Sequence, residues 1–475
     1  MFVSNSNTLK QFKLNILNRR FLNRRFGTNS HKFCFTSPFR IIFFFLIVIV
    51  LYWLNFFYYV WNLEIPPAII HSFNYITYIM PIMITTSSKP PSTSCAPCNC
   101  ISYSSETKSS SNNGCIDDAE LEELASSHYN LYNGGGKTED TSDTIKLSTF
   151  FHDSLSTIEC EKSLDSLNKV ISNNESEKKQ TKSIQGKTLW HVYWRLDSGK
   201  KDLGYTPTTV LESWLATQNE NSVIVYWLAA SDSPTISKYD VPPTLLSLIR
   251  LFPNRIRYRF LDVAHEAEGT PLQRSYLLRL HDSKAWVDSD IARLVIEYRY
   301  GGMYMDIDVL LLRDLQPLLY FEFVTEFSCD HSQSSANNAV MHIFRKSNTA
   351  LGLLEASKQI FPKLMSWAYG PDMLNSVTTG TNALHIWKLP WCFFHGVWCL
   401  GAIPMDALGG SVVWNQAFLE KAFGIHLHGA PKSASLPHKD SVLGVYAKKH
   451  RLLLEQMVAD SSSRSKEFET YLNRK

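Results

Sequence analysis

Two aspartates separated by one residue, Asp306 and Asp308, are the residues of this 475-residue chain whose type and spacing best suit chemistry. They interrupt the apolar stretch from Met303 to Leu312, where a carboxylate is costly unless a cation or hydrogen-bond donors compensate its charge. Hard oxygen ligands at this spacing suit Mn²⁺ or Mg²⁺, which keep open positions for phosphate oxygens. The pair therefore predicts a divalent metal site, with Mn²⁺ preferred and Mg²⁺ as the alternative.

A helix, a glycine stop and a strand are the elements that must position this pair. An amphipathic helix is predicted over residues 289–300 from apolar residues at helical spacing, namely Ile291, Leu294, Val295 and Tyr298. Gly301 and Gly302 supply its C-terminal stop. After them we predict one strand from Met303 to Leu312. Side chains alternate between the two faces of a strand, so Tyr304, Asp306 and Asp308 would lie on the same face.

The D-x-D triplet by itself is weak evidence, because Asp288-Ser-Asp290 has the same form. A solvated strand end is the ordinary explanation for such acids. The apolar context of Asp306 and Asp308 favours a functional explanation instead.

The surrounding residues resemble a known family in their order and spacing. The matching features are Ser289-Asp290, Arg293, Tyr300-Gly301-Gly302, Tyr304 and Asp306-x-Asp308. They resemble the D-x-D sugar transferases, which include α-1,4-galactosyltransferases, α-1,4-N-acetylglucosaminyltransferases, fungal α-1,6-mannosyltransferases and, more distantly, the glucosylating bacterial toxins. The resemblance implies a GT-A fold, a nucleotide-sugar donor, a divalent metal and transfer with retention of anomeric configuration.

The resemblance also implies roles for individual residues. Asp308 would bind the metal, Asp306 would touch the metal shell or the ribose and donor sugar, and Tyr304 would flank the nucleotide. Asp290 and Arg293 would hydrogen-bond the hydroxyls of the donor sugar. A purely structural pair, a carboxylate at a helix start and an arginine bridged to it, is the alternative for these last two residues.

Further candidates come from segments that resemble the family outside the D-x-D region. Trp194, at the end of the first strand, resembles an aromatic that stacks on the nucleobase, although a core tryptophan is the alternative. Asn337 and Asn338 resemble the segment beside the acceptor, where they would orient the sugar. The stretch 425–432 looks like the histidine segment of several retaining GT-A enzymes. It nominates His426 as the third metal ligand, with His428 as the fallback, and Lys432 as a phosphate partner. A structural histidine is the alternative explanation.

Strands that alternate with helices predict an α/β domain over residues 188–435. The strands are expected at 188–195, 222–228 and 255–263, with a helix near 208–217. We expect a GT-A type, Rossmann-like mixed sheet flanked by helices, followed by a helical C-terminal extension, 436–475. Because ligands collect at the carboxyl ends of strands, the first strand and the acidic segment should face one crevice.

The N-terminal region predicts a membrane anchor. Residues 1–40 contain eight lysines and arginines and no acid, and residues 41–61 are apolar enough for one transmembrane helix. The charge asymmetry predicts a single-pass type II protein with a cytoplasmic basic tail and a lumenal catalytic domain, which we expect in the Golgi membrane. An organelle transit peptide is the alternative for the first residues. The semi-apolar stretch 68–84 contains prolines and polar residues and is expected at the membrane surface.

Residues 62–187 are predicted to form a juxtamembrane segment and a disordered, low-complexity stem, with one short helix near 116–131. Its cysteines, together with Cys329, Cys392 and Cys399, would meet an oxidising lumen and form disulfides. Cys95, Cys98 and Cys100 could link two chains into a homodimer; zinc is the alternative, but no partner group completes a four-ligand site. Asn174 lies in the one lumenal glycosylation sequon.

Together these features predict a glycosyltransferase that moves a hexose or N-acetylhexosamine from a nucleotide sugar, UDP-linked by preference, onto a glycan or glycolipid. A GDP-mannose-dependent mannosyltransferase, metal-dependent phosphoryl transfer or hydrolysis, and a catalytically inactive glycan-binding protein are the alternatives. The formal net charge of +3 is too small to indicate nucleic-acid binding.

Overall fold

The structure is a computed structural model of the chain. Its described residues are 114–132, 159–160, 162–167, 169, 186–196, 202–230, 241–280, 285–327, 336–360, 368–378, 384, 386–398, 403–429, 436–459 and 462–473. The basic tail, the predicted anchor at 41–61, the stretch 68–84, most of the predicted stem and Lys432 lie outside these residues. Among the described helices, none combines the length and the apolar character that a membrane crossing requires.

The centre of the described fold is a mixed sheet of seven strands in the order β3-β2-β1-β4-β7-β6-β8. Strand β1 is parallel to β2 and to β4, whereas β7 is antiparallel to both β4 and β6. A second, two-stranded sheet joins β5 and β9. The strands are β1 Thr188–Leu196, β2 Ser222–Ala230, β3 Ile256–Leu261, β4 Gly302–Met305, β5 Val309–Leu311, β6 Phe323–Glu326, β7 Ala336–Ile343, β8 Trp387–Leu389 and β9 Gly424–His426.

Helices cover both faces of the large sheet. They are α1 Asp118–Tyr132, α2 Tyr205–Thr217, α3 Pro243–Leu251, α4 Val263–Glu266, α5 Trp286–Tyr300, α6 Asn348–Gln359, α7 Met373–Thr378, α8 Gln416–Lys421, α9 Val442–Val458 and α10 Ser462–Leu472. Short 3₁₀ helices lie at Tyr276–Arg279, Gln316–Leu318, Trp391–Phe393, Gly396–Trp398 and Met405–Ala407, and a π-helical turn at Ala368–Asp372.

Alternate residues of β1 feed two separate cores. Trp190 and Val192 pack with α2 and α3 on one face, and Leu189 and Tyr193 pack with α5 and α6 on the other. This is the pattern of a strand that is buried on both sides. The predicted α/β arrangement, with its strands and helices near 188, 208, 222 and 255, is confirmed.

The single strand predicted from Met303 to Leu312 is wrong. Strand β4 ends at Met305, and a turn follows in which the Val309 N–H donates to the Asp306 carbonyl at 3.1 Å. The chain then joins the other sheet as β5, because its backbone groups find partners on β9 rather than on β7. Asp306 and Asp308 therefore lie in a turn between two sheets.

The junction before that turn forms as predicted. Helix α5 ends at Tyr300, and the Gly301 N–H donates to the Glu297 carbonyl at 2.9 Å. Gly301 and Gly302 have φ angles of 63° and 118°, which L side chains rarely adopt. A Cβ on Gly302 would lie 2.7 Å from the carbonyl oxygen of Leu189, so glycine also allows β4 to approach β1.

Both ends of the described chain pack onto the sheet domain. The helix predicted near 116–131 is present as α1, and its Leu121, Leu124 and Ala125 are buried in the α5 core. At the other end, α9 and α10 contact α2 and α3. There the buried Glu212 accepts hydrogen bonds from Arg451 at 3.1 Å and from the Tyr471 hydroxyl at 2.6 Å.

Candidate active site

The acidic turn lies at the carboxyl end of the parallel strands. Because β1 and β4 are parallel neighbours, with Trp190 opposite Met303, both strands end at the same edge of the sheet. Helix α5 feeds directly into β4, so residues near its N-terminus return to this edge. Arg195, near the end of β1, is bound to Asp288 of α5 at 2.7 Å, which fixes the helix start beside the strand end. The expected crevice position of the acids follows from this topology.

Three side chains at the turn could hold one metal ion. A ligand atom from each of Asp306, Asp308 and His426 lies within 4.8 Å of the others. The side chains of the two aspartates are 26% and 21% exposed, so an ion could reach them from solvent. Two carboxylates and one imidazole form a donor set that suits Mn²⁺ or Mg²⁺ with open positions for substrate oxygens.

Strand pairing brings His426 to the acids across more than a hundred residues of sequence. In the β5–β9 pair Val309 lies opposite His426, and the Leu427 N–H donates to the Asp308 carbonyl at 2.8 Å. The Asp308 carboxylate then contacts His426 Nε2 at 3.3 Å and accepts the Gly429 N–H at 2.7 Å. The predicted histidine segment is thus held against the acidic turn by backbone bonds.

The two aspartates differ in acidity. Burial alone would raise the pKa of Asp308, but His426 and the Gly429 N–H outweigh it and lower that pKa to about 2. Burial, together with the charge of Asp308, raises the pKa of Asp306, and Arg293 only partly opposes that shift. Two neighbouring carboxylates of this kind repel each other, and a cation between them would relieve that repulsion.

Arg293 is the organising residue beneath the turn. Its side chain is 2% exposed, and its Nη2 donates to Asp306 Oδ1 at 2.8 Å and lies 3.3 Å from Asp290 Oδ1. Its Nη1 donates to the Asn338 carbonyl at 2.5 Å. The guanidinium carbon also lies 4.4 Å from the ring centroid of Tyr304, a cation–π contact.

Asp290 and Asn338 form a second polar pair beside Arg293. Asn338 Nδ2 donates to Asp290 Oδ1 at 3.0 Å, and both residues are buried. Gly370, in the π-helical turn, lies against this pair, because a Cβ there would be 2.9 Å from Asn338 Oδ1. The π-helical turn with Gly370 and the segment with Asn337 and Asn338 therefore meet in the fold.

The structure places the remaining predicted residues less directly at the site. Tyr304 is 1% exposed, with its ring beneath Arg293. Trp194 is 5% exposed and belongs to the core on the opposite face of the sheet from Tyr304. Asn337 uses its side-chain oxygen to accept the Ala339 N–H at 2.7 Å.

His395 was not predicted from the sequence, yet it lies beside His426 and His428. Its ring centroid is 5.1 Å from that of His426 and 5.4 Å from that of His428. His395 follows the short helix Trp391–Phe393 in an apolar, aromatic stretch, where a single histidine carries no recognisable spacing. Only the contact between this segment and β9 brings it to the site.

Comparison with known proteins agrees with this geometry. Residues 208–324 match the family described as glycosyltransferase sugar-binding region containing DXD motif, and this range includes α5 and the acidic turn. Over these residues the chain is similar to the DXD-containing glycosyltransferases. The D-x-D motif within the matched range is Asp306–Asp308, and His426 lies outside that range.

Individual proteins match this chain over part of their length or with low sequence identity. The chain is 36% identical over 76 residues to lactosylceramide 4-alpha-galactosyltransferase of Rattus norvegicus, a match that covers 15% of this chain and only 21% of the relative. Among solved structures, GlyE of Streptococcus pneumoniae TIGR4 is 14% identical with a TM-score of 0.36, covering 58% of this chain and 64% of that one. Mouse xyloside xylosyltransferase 1 is 13% identical with a TM-score of 0.32, covering 50% and 97%. Similarity at these TM-scores carries no conclusion about the site.

Proposed function

We propose that this protein is a glycosyltransferase that has a GT-A fold, depends on a divalent metal and transfers a hexose or N-acetylhexosamine with retention of configuration. The proposed donor is a nucleotide sugar, preferably UDP-linked, and the acceptor is a glycan or glycolipid. The observation that carries the proposal is the meeting of Asp306, Asp308 and His426 within 4.8 Å at the carboxyl edge of the sheet.

The residues of the site divide into ligands and supports. Asp306, Asp308 and His426 would hold Mn²⁺, with Mg²⁺ as the alternative. When bound, such an ion supplies Lewis-acid stabilisation of the negative charge on the nucleotide diphosphate. Arg293 fixes the direction of the Asp306 carboxylate, and the Gly429 N–H fixes that of Asp308. Preorganised ligands of this kind lower the cost of reorganisation during the reaction.

The polar pair beside the ligands would contact the sugars. Asp290 and Asn338 are bound to each other next to Arg293, so a donor sugar at the metal would meet this group. The sequence alone nominates no carboxylate as a nucleophile on the other face of the sugar. We therefore favour attack from the side of the leaving group, with the departing phosphate accepting the proton of the acceptor hydroxyl.

We propose α-1,4-galactosyl transfer as the specific reaction, on the basis of one relative that is matched over part of its length. The rat relative is named for 4-alpha-galactosyl transfer to lactosylceramide, and its similarity to this chain supports a galactose donor and a glycolipid acceptor. A GDP-mannose donor would instead indicate a mannosyltransferase.

The proposed location is the Golgi membrane, with a single type II span at 41–61 and a lumenal catalytic domain. The disulfide between Cys160 and Cys392 supports an oxidising compartment, because such bonds are rare where glutathione keeps thiols reduced. Glycosylation of Asn174 in full-length chains expressed in cells, lost in Asn174→Gln, tests this topology. A protein that carries no glycan there would contradict it.

The enzymatic proposal is tested with the full-length chain in detergent. The purified protein is incubated with Mn²⁺ and UDP-galactose, UDP-N-acetylglucosamine, UDP-glucose or GDP-mannose, and released nucleotide is measured. We expect turnover with one UDP-sugar, its loss on chelation, and its loss in Asp308→Asn. The control, Asp440→Asn, changes an exposed carboxylate distant in sequence from the motif.

Two results would reject the proposal. Turnover that persists in Asp308→Asn or in excess chelator would remove the metal role of the acidic turn. Glycan binding without turnover of any donor, in a chain that melts cooperatively, would identify the catalytically inactive alternative.

A further inference from the structure

Three imidazole rings meet next to the acidic turn, and one of them also faces it. A ring nitrogen from each of His395, His426 and His428 lies within 4.8 Å of the others. The rings of His426 and His428 are the closest, with centroids 3.9 Å apart. The backbone fixes this arrangement, because the His426 N–H donates to the carbonyl of Phe394, the residue before His395, at 2.7 Å.

Two of the three rings have a nitrogen with no hydrogen-bond partner in the described structure. His395 Nε2 contacts Thr325 Oγ1 at 3.0 Å, but its Nδ1 is buried and unpartnered. His426 Nε2 faces Asp308 Oδ1 at 3.3 Å, and its Nδ1 is likewise buried and unpartnered. His395 is 0% exposed and His426 is 7% exposed. Buried ring nitrogens without partners are unfavourable, so a group other than these side chains should complete the cluster.

We propose that His395, His426 and His428 bind a transition-metal cation of the zinc type. Three neutral imidazoles form an all-nitrogen donor set, which prefers Zn²⁺, Cu²⁺ or Ni²⁺ to the Mn²⁺ and Mg²⁺ that carboxylates select. Three protein ligands with an open fourth position is an arrangement that zinc adopts. The donor chemistry of this cluster therefore differs from that of Asp306 and Asp308.

The histidine site has a consequence for the acidic site because His426 belongs to both groups. A zinc-type ion on the three histidines competes with Mn²⁺ for the ring of His426, so Zn²⁺ inhibits the transfer reaction. This inhibition rests on the proposed function. Binding of the ion to the three histidines does not.

Cobalt is the probe for the experiment, because Co²⁺ in a nitrogen-rich site of low coordination number absorbs visible light. The full-length chain in chelator-treated buffer is titrated with Co²⁺, and the bound ion is then displaced with Zn²⁺. Two variants remove a ligand: His428→Asn and His395→Gln. Asparagine suits position 428 because it tolerates the left-handed backbone found there, with φ of 51°.

Two further chains serve as controls. The double variant Asp306→Asn, Asp308→Asn removes the acidic ligands, and His438→Asn removes a histidine whose side chain is 46% exposed. We expect the wild type and both controls to bind one equivalent of Co²⁺ with visible absorption that Zn²⁺ abolishes. Each ligand variant should weaken Co²⁺ binding by about tenfold or more. Thermal melting followed by circular dichroism shows which variants fold. If His395→Gln does not fold, the Co²⁺ affinity of His428→Asn decides the question.

Three outcomes would overturn the inference. Unchanged Co²⁺ affinity in His428→Asn would mean that the ion binds elsewhere on the protein surface and not at the three histidines. Loss of affinity in the double aspartate variant would assign it to the acidic turn. No binding by the wild type would mean that water fills the cluster. If the chain binds Co²⁺ at the histidines but transfers no sugar, the inferred histidine site stands and the proposed function is rejected.

Discussion

The Arg293 guanidinium and the Asp306 carboxylate meet at 2.8 Å, although one lies on a buried helix and the other in a partly exposed turn. The second guanidinium nitrogen donates to the Asn338 carbonyl, so Arg293 links α5, the acidic turn and β7. This places Arg293 beneath the proposed metal ligands as a support for Asp306. Its ring contact with Tyr304 leaves little room for a flexible substitute.

Arg293→Lys should therefore impair both stability and activity. Lysine keeps the charge but cannot make both hydrogen bonds of the planar guanidinium. Loss of a hydrogen bond to a charged group costs about 1.5–3 kcal/mol of folding free energy, and misplacing a metal-ligand support costs on the order of 10- to 100-fold in metal affinity or activity. The measurements are chemical denaturation and Mn²⁺-dependent turnover. Arg250→Lys, at an exposed ion pair with Glu467, is the control and should be nearly neutral. Wild-type turnover in Arg293→Lys would exclude the supporting role.

Gly370→Ala should alter sugar binding with little loss of stability. The added Cβ would lie 2.9 Å from Asn338 Oδ1, so Asn338 must shift relative to Asp290. We expect a rise in the KM for the donor or acceptor of about tenfold, corresponding to roughly 1.4 kcal/mol. Gly269→Ala is no suitable control because its φ is positive, whereas Gly204→Ala adds a methyl group into open space. Equal KM values in the two variants would argue against a role for the Asp290–Asn338 pair.

Gly302→Ala should destabilise the fold. The φ of 118° and the 2.7 Å approach of its Cβ to the Leu189 carbonyl oxygen both oppose a side chain at this position. Backbone strain of this kind costs about 1–3 kcal/mol, and the midpoint of urea unfolding should fall accordingly. Gly204→Ala again supplies the matched control. An unchanged midpoint in Gly302→Ala would mean that the β1–β4 contact is looser than the structure indicates.

The hydrogen-bond partners of two buried histidines, His128 on α1 and His342 on β7, define which ring nitrogens carry a proton. The Leu189 N–H donates to His128 Nδ1 at 3.1 Å, so His128 donates from Nε2 to His342 Nε2 at 2.9 Å. His342 in turn donates from Nδ1 to the Phe321 carbonyl at 2.6 Å. Each ring is thus neutral, and a proton added to either would break the chain of hydrogen bonds.

The fold should lose stability as the pH falls through the range of histidine titration. Burial lowers the pKa of His191 and of His342 from 6.5 to about 4. Between those pH values the unfolded chain binds protons that the folded chain does not, so the free energy of unfolding falls with falling pH. The loss approaches about 3 kcal/mol for each histidine. Urea unfolding at pH 7.5, 6 and 5 measures it, and His438→Asn should show the same slope. Stability independent of pH over this range would contradict the neutral network.

Local patterns were sufficient for the elements nearest the motif. Apolar spacing over 289–300 predicted α5, and the glycine pair predicted its end, because both depend on interactions within a few residues. The acidic pair and its preference for a divalent ion also follow from residue type alone.

Contacts between segments that are distant in sequence could not be predicted from local patterns. The acidic turn was predicted as a continuous strand, since apolar residues on both sides of Asp306 and Asp308 fit a single sheet equally well. Whether a chain continues or turns depends on where its backbone groups find partners, and here those partners belong to β9.

The sequence by itself determined the chemistry of this protein: two carboxylates after a helix and a glycine stop, with a histidine segment later in the chain. Only the tertiary structure decided where the supporting residues lie relative to the two carboxylates. It buried Arg293 as a support for Asp306, placed Tyr304 beneath that arginine, and brought His395 to His426. The physical reason is that residue type and local spacing set which atoms can bind, whereas strand pairing and core packing set which of those atoms meet.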